Sequence, residues 1–341
     1  MNSPLVSIIT PSYNRADVVR ETADSILGQS YPHWEWMIVD DGSTDNSWEI
    51  LQAIAKEDPR IHLLKRDREP KGACCCRNIG VLSCRGDYLL FLDTDDILAP
   101  SCLEQRVQAA MQHPDKDFLI FPMLMFRMKV DDMNVYWNIN TDEDDLERFL
   151  SGDSICQGTG TFWKRESFMK TGLWGEQLKL WQDVELHVRI LLMGMTYVKC
   201  MDMHPDIYLR VSYVSISRTG FHSPEKIESR IWIMASTMEK MIELQLKDRY
   251  KDALRHMFTD IFFSAANGRQ LILSDRLLHL ESFWHLFDTQ ERRAFRTYSF
   301  MQRYRLYKIQ SLKRLLTERI TYFVPPRISR IGTVPYLSTV R

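Results

Sequence analysis

Short, almost wholly apolar runs alternate with helix-like stretches through the first hundred residues, and no other feature constrains the fold as strongly. The apolar runs at 5–9, 36–39, 61–64 and 88–92 read as strands, and the stretches at 16–27, 46–54 and 73–82 read as helices. Strands that alternate with helices build a parallel sheet. Strands with no polar side must be covered on both faces. The expected fold class is therefore α/β: a Rossmann-like, mostly parallel sheet with helices on both faces. Ligands of such sheets bind beyond the carboxyl ends of the strands. The polar clusters of this chain fall at those ends, at 10–15, 40–43 and 93–96. Gly42 suits a tight turn, and Thr44, Asp45 and Asn46 can cap the helix that follows.

Composition excludes several classes. With 44 Lys and Arg against 45 Asp and Glu, net charge points to no nucleic-acid partner. The first strand is not followed by G-x-G-x-x-G, and G-x-x-x-x-G-K-[ST] does not occur, which argues against a dinucleotide oxidoreductase and a P-loop nucleotidase. Seven cysteines close no disulfide framework, and Cys74, Cys75 and Cys76 are adjacent rather than spaced as C-x-x-C. They read as small buried residues in a reducing compartment. The opening MNSPLVSII has no basic, apolar leader pattern. No apolar run reaches the roughly 18–20 residues of a membrane span, so the expected location is the cytoplasm.

Beyond residue 100 the patterns mix, with acidic loops at Asp131, Asp132 and 142–145. After Pro224 the chain reads as helix, with few Gly or Pro residues before Pro325 and Pro326. From Glu291 onward, 12 Lys and Arg stand against 2 acids. Leu312, Leu315, Leu316, Ile320 and Phe323 recur there at helical spacing. Such a helix either lies on an anionic membrane surface or packs on the rest of the chain with its charges answered by acids there.

The sharpest chemical feature is 89–96, LLFLDTDD. A buried strand delivers three carboxylates in four residues, and their mutual repulsion calls for a cation. Alternate residues of an extended segment point the same way, so Asp93 and Asp95 can face one Mg²⁺ or Mn²⁺ that bridges to phosphate. A capped helix or solvated turn is the plain alternative. Asp40 and Asp41 end another strand on the same edge; a carboxylate there can accept hydrogen bonds from a base or a ribose, or form an Asx-turn. Tyr13 offers a ring for base stacking or local packing, and Arg77 a planar fork for phosphate or for an ion pair. The segment 158–161, GTGT, can be a small surface for a sugar or an ordinary turn. Trp163, Trp174 and Trp181 can stack on sugars or fill the core.

Taken together, 7–14 (SIITPSYN), 40–45 (DDGSTD), Gly72 with 77–80 (RNIG) and 91–96 (FLDTDD) resemble the inverting glycosyltransferases of family 2, which have the GT-A fold. The resemblance covers roughly the first 220 residues. It implies that Pro11, Tyr13, Asp40, Asp41 and Arg77 line a nucleotide site, and that Asp93 and Asp95 form the metal and diphosphate site with Mn²⁺ or Mg²⁺. It also implies that Asp183, within 181–186 (WQDVEL), is the general base; from the residues alone, Asp183 would be an acid meeting a helix dipole. The implied organisation is a nucleotide-sugar-binding half at 1–100, an acceptor-binding half at 101–223 and a helical, basic region at 224–341. The implied partners are a nucleotide sugar, a UDP-sugar by family habit, and a glycan or lipid-linked acceptor, with peripheral contact at the inner face of the membrane through the basic region. Two positions depart from the family. Gln182 stands where Glu is usual, and Ser212 where a histidine often approaches the diphosphate, with His204 and His222 as substitutes. The rival readings are a nucleotide-sugar-binding protein without catalysis and a haloacid dehalogenase-like phosphatase, though Ile97 stands where that phosphatase has Thr or Val.

Overall fold

A computed structural model describes residues 3–211, 219–327 and 329–336. The first half is built as the alternation requires. β1 (Val6–Ser12), β2 (Trp34–Asp40), β3 (Ile61–Lys65) and β4 (Tyr88–Phe91) are separated by α1 (Val19–Leu27), α2 (Ser47–Ala55) and α3 (Ala73–Ser83). Every residue of β1 and β2 is buried, which is what strands without a polar face demand. Then come β5 (Ile97–Leu98), α4 (Cys102–Gln112), β6 (Phe118–Ile120), β7 (Met123–Phe126), β8 (Val135–Tyr136), α5 (Asp145–Leu150), β9 (Thr161–Lys164), α6 (Arg165–Lys170), α7 (Gln182–Leu192), β10 (Tyr197–Lys199) and β11 (Ile207–Arg210).

The main sheet runs β10-β6-β9-β4-β1-β2-β3, with β9 antiparallel to its neighbours. β1 pairs in parallel with both β2 and β4, in a register that sets Ser12 beside Asp40 and Ile9 beside Phe91. The loops after β1, β2 and β4 therefore leave from one edge. A smaller sheet, β5-β11-β7-β8, stands beside it. Side chains alternate across β1: Val6 and Ile8 pack with α1, α2 and α4, whereas Ile9 packs with α3 and α7. The second apolar layer continues without a break into α8 (Pro224–Glu243), α9 (Lys251–Asn267), α10 (Leu271–Leu277), α11 (Glu281–Trp284), α12 (Thr289–Arg303) and α13 (Gln310–Phe323).

Several local expectations can be set against this architecture. All seven cysteines are free and buried. α1 begins at Val19, because residues 15–18 form a turn in which the Arg15 carbonyl accepts from the Val18 and Val19 amides. Among the three candidate caps for α2, Asp45 does the work: its carboxylate accepts from the Ser47 amide at 2.9 Å, and Asn46 makes no side-chain cap. In α13, Leu316 and Ile320 are buried, Leu312 and Phe323 pack against the core, and Leu315 alone of that stripe is 61% exposed. The stripe thus packs on the chain. No helix among the described residues is long and apolar enough to cross a membrane.

After α13 the chain turns back over the small sheet. The Arg330 guanidinium and amide both bind Asp153 at 2.6 Å, and Asp153 is fully buried against Arg148. Gly332 donates to the Trp137 carbonyl at 2.8 Å, and Pro335 bridges to Val135. A Cβ on Gly332, whose φ is +66°, would approach the Met125 sulfur to 3.0 Å.

One buried ion pair joins these parts. Arg106 on α4 grips Asp206 just before β11 with two bonds of 2.9 and 2.7 Å, and donates to the Thr159 carbonyl at 3.1 Å. Both side chains are essentially unexposed. Asp206→Ala strands the buried guanidinium, so the expected loss of unfolding free energy is about 3–5 kcal/mol. Urea denaturation measures it. A loss under about 1 kcal/mol, the range of exposed pairs, would contradict this assignment.

Candidate active site

The strand ends open into a cleft of about 720 Å³. It brings together Pro11, Tyr13, Asp41, Arg77, Asp93, Asp95 and Asp183. Asp40 stays outside. Its carboxylate accepts from the Gly42 and Ser43 amides at 3.0 and 3.1 Å and from the Ser43 hydroxyl at 2.5 Å, so it shapes its own turn around Gly42, whose φ is +78°.

The three carboxylates after β4 have different surroundings. Asp93 accepts from Arg77 Nη2 at 2.6 Å. Asp95 faces Arg15 at 3.6 Å. Asp96 is buried and accepts from the Arg210 amide at 3.0 Å. Burial, and then the neighbouring carboxylates, push Asp95 above its ordinary pKa and Asp96 well above it. The loop backbone is clamped from two sides. The Thr22 hydroxyl lies 3.0 and 2.8 Å from the carbonyls of Thr94 and Asp96, and Arg210 Nε donates to the Asp95 carbonyl at 3.0 Å.

On the other side of the opening, Asp41 accepts from Arg66 Nε at 2.6 Å and the Gly72 amide at 3.3 Å. Lys71 covers one face of Tyr13, with Nζ 3.5 Å from the ring centroid. Arg77 is 7% exposed, and its Nε and Nη1 have no partner. Buried donors left unpaired are costly. Arg15, Lys71, Lys179 and Arg210 add further positive charge to the lining.

Asp183 is the second residue of α7 and receives the Gly158 amide on Oδ1 at 2.6 Å. The preceding Trp181 has φ +60°, a left-handed turn into the helix, and its ring lines the cleft. Trp163 and Trp174 are buried in the core. The 158–161 segment is a buried 3₁₀ turn running into β9, and its Gly158 amide is the group that orients Asp183. His204 binds the Tyr336 hydroxyl and His222 the Ser264 hydroxyl, and neither is among the cleft-lining residues. Ser212 lies outside the described residues.

Sequence reasoning missed Thr22, Arg66, Gly158 as an amide donor, and Trp137 in the lining. It also missed Arg210, and Thr22 carries no signal at all.

The carboxylates suit a hard divalent cation. No group of three or more His, Cys, Asp or Glu side chains among the described residues is placed to hold a metal. Mg²⁺-type sites do not need such a cage, because they take one or two carboxylates and complete their shell with phosphate and water. Asp93 and Asp95 offer that donor set, with Arg77 and Arg15 as the charges answering it in the cleft.

Residues 7–172 match the family model described as Glycosyl transferase family 2. The chain is 46% identical over 109 residues to the putative teichuronic acid biosynthesis glycosyltransferase TuaG of Bacillus subtilis, which is 32% of this chain and 43% of that protein. It is 41% identical over 104 residues to the putative colanic acid biosynthesis glycosyl transferase WcaA of Escherichia coli, 30% of this chain and 36% of that protein. The chain thus spans less than half the length of either relative. Among solved structures, S. aureus TarS 1–349 in complex with UDP superposes with a TM-score of 0.62 over 99% of this chain and 100% of that one, at 17% identity. The α/β unit with its helical extension therefore has the GT-A fold. Residues 7–172, just under half of the chain, carry the match to glycosyl transferase family 2.

Gly158 gives this geometry a direct test. A Cβ there would meet the Trp174 ring at 2.9 Å and Asp183 Oδ1 at 3.1 Å. Gly158→Ala is expected to displace Asp183 and, under the function proposed below, to lower turnover about 100-fold. Affinity for the nucleotide proposed there, measured by calorimetry, should stay as in the parent. Equal turnover of the two proteins would show that Asp183 needs no such support.

Proposed function

We propose that the protein is an inverting glycosyltransferase that moves a sugar from a nucleotide sugar, UDP-linked, to a hydroxyl of a glycan or lipid-linked acceptor in cell-surface polysaccharide synthesis. The observation that carries this reading is a single cleft with the clamped Asp93–Asp95 loop and Arg77 beside the amide-oriented Asp183. The family match supports the reaction class, and the relatives' names support the polysaccharide context. UDP bound by the structural neighbour supports the choice of nucleotide.

On this reading residues 1–100 form the donor half, 101–223 the acceptor half and 224–341 a helical, basic region. The base and ribose lie near Tyr13 and Asp41. Asp41 is fixed by Arg66 and the Gly72 amide, so its carboxylate is already oriented. Asp183 takes the proton from the acceptor hydroxyl as that oxygen attacks the anomeric carbon. The new C–O bond forms as the bond to the nucleoside diphosphate breaks, and configuration inverts without a covalent enzyme intermediate. The positive charges of Arg77, Arg15 and Lys71 face the charge that develops on the diphosphate. Asp93 and Asp95 would hold Mn²⁺ or Mg²⁺, which would supply Lewis-acid neutralisation of that charge. The protein works in the cytoplasm, peripheral at the inner face of the membrane.

Three single variants divide these roles. Asp93→Asn and Asp95→Asn are expected to abolish the Mn²⁺-dependent part of UDP affinity in calorimetry while the melting temperature holds. Undiminished affinity in both would remove the metal role. Asp183→Asn is expected to keep UDP affinity and lose transfer by about 10²–10⁴-fold. A panel of nucleotide sugars with Mn²⁺, scored by release of the nucleoside diphosphate, supplies the donor for that assay. If no nucleotide sugar in the panel is turned over by the parent protein, the non-catalytic binding reading replaces this one.

A further inference from the structure

The C-terminal helices leave one face that the fold does not use. α12 buries Phe295, Tyr298 and Met301 against the core, while Phe300 is 55% exposed and Tyr304, the residue that ends the helix, is 60% exposed. Their rings lie 4.4 Å apart and form one apolar block. The connection to α13 follows at once and adds Ile309, 51% exposed. Scattered exposed apolar residues are ordinary, but a close, tilted aromatic pair followed a few residues on by an exposed aliphatic residue is a patch.

The same segment is strongly basic. From Arg293 to Tyr322 there are eight Lys and Arg and one acid, Glu318. Arg303 is answered by Asp275 and Arg314 by Glu318. Arg305 and Lys308 flank the aromatic pair, are exposed, and have no acidic partner among the described residues. Elsewhere the fold does answer its tail charges, as Arg327 and Arg330 do with Glu143 and Asp153. At the corner between α12 and α13, apolar exposure and unanswered positive charge coincide.

We propose that this corner, Phe300 and Tyr304 with Arg305, Lys308 and Ile309, docks the protein on an anionic lipid bilayer. Aromatic rings suit the headgroup level of a membrane, and flanking cations are drawn to acidic lipid. An aliphatic side chain such as Ile309 gains from the acyl boundary and gains nothing from the phosphates of a nucleic acid, which favours lipid over another polyanion. None of these residues is among those lining the donor cleft, so the inference stands apart from the catalytic reading.

Sedimentation of the full chain with phosphatidylcholine vesicles, with and without phosphatidylglycerol, across a salt series tests the proposal. Binding is expected only with phosphatidylglycerol and is expected to weaken as salt rises. The double variants Phe300→Ser with Tyr304→Ser, and Arg305→Glu with Lys308→Glu, should each lower the partition coefficient about tenfold or more. Their melting temperatures and Mn²⁺-dependent UDP affinities should match the parent. The proposal is overturned if the parent fails to bind at low salt, if neutral vesicles bind it equally, or if both variants bind like the parent. Binding to duplex DNA without binding to vesicles overturns it too.

Discussion

Three carboxylates within four residues at the end of a buried strand are a standing electrostatic problem, and the cleft is organised around it. Each is answered by a group from a different part of the chain. Arg77 comes from α3, Arg15 from the loop after β1, and the Arg210 amide from the end of β11. Burial, and then the neighbouring carboxylates, still raise Asp95 and Asp96 above the ordinary carboxylate range. Convergence of distant segments on one loop is thus a consequence of where the charges were put.

The same convergence couples the two sides of the cleft. Arg210, which clamps the carboxylate loop, ends the strand that begins just after Asp206. Asp206 is held by Arg106, and Arg106 also holds the Thr159 carbonyl next to Gly158. Gly158 orients Asp183. One buried ion pair on α4 therefore serves as a strut for both the carboxylate loop and the acid at the head of α7. A rigid strut matters because proton removal and bond breaking depend on placement to within about an ångström.

Much of this was legible in the sequence, for a physical reason. β1 and β2 are buried along their whole length, as their apolar runs required, and the ends of β1, β2 and β4 carried the polar clusters. Asp93, Asp95 and Asp41 sit at those ends and could be placed by topology, whereas Arg77 reaches the cleft from within α3. Asp40 could not be separated from Asp41, because only the loop geometry decides which of two adjacent carboxylates closes the turn. Thr22 and Arg210 escaped notice because their partners lie 72 to 115 residues away and a lone threonine on a helix has no pattern. The stripe on α13 was visible, but sequence cannot tell whether a stripe meets the chain's own core or something outside it, and here it meets the core.

The return of the C-terminal segment over the small sheet shows why the acceptor side resists reading from motifs. Trp137 lines the cleft, and its backbone is held on one side by the Met123 carbonyl and on the other by the Gly332 amide. Met125, another lining residue, lies against Gly332 so closely that no side chain fits there without movement. The segment carrying Gly332 is in turn fixed by Arg330 on Asp153, which shares its carboxylate with the buried Arg148. Under the proposed assignment this is the acceptor wall, and its shape is set by residues almost 200 positions beyond their contacts in the chain. The donor side can be specified by a few residues at strand ends, because a parallel sheet delivers them to one edge. The opposite wall has no such delivery system. Its form depends on how the far end of the chain comes back, so proteins that share the donor motifs are free to differ there.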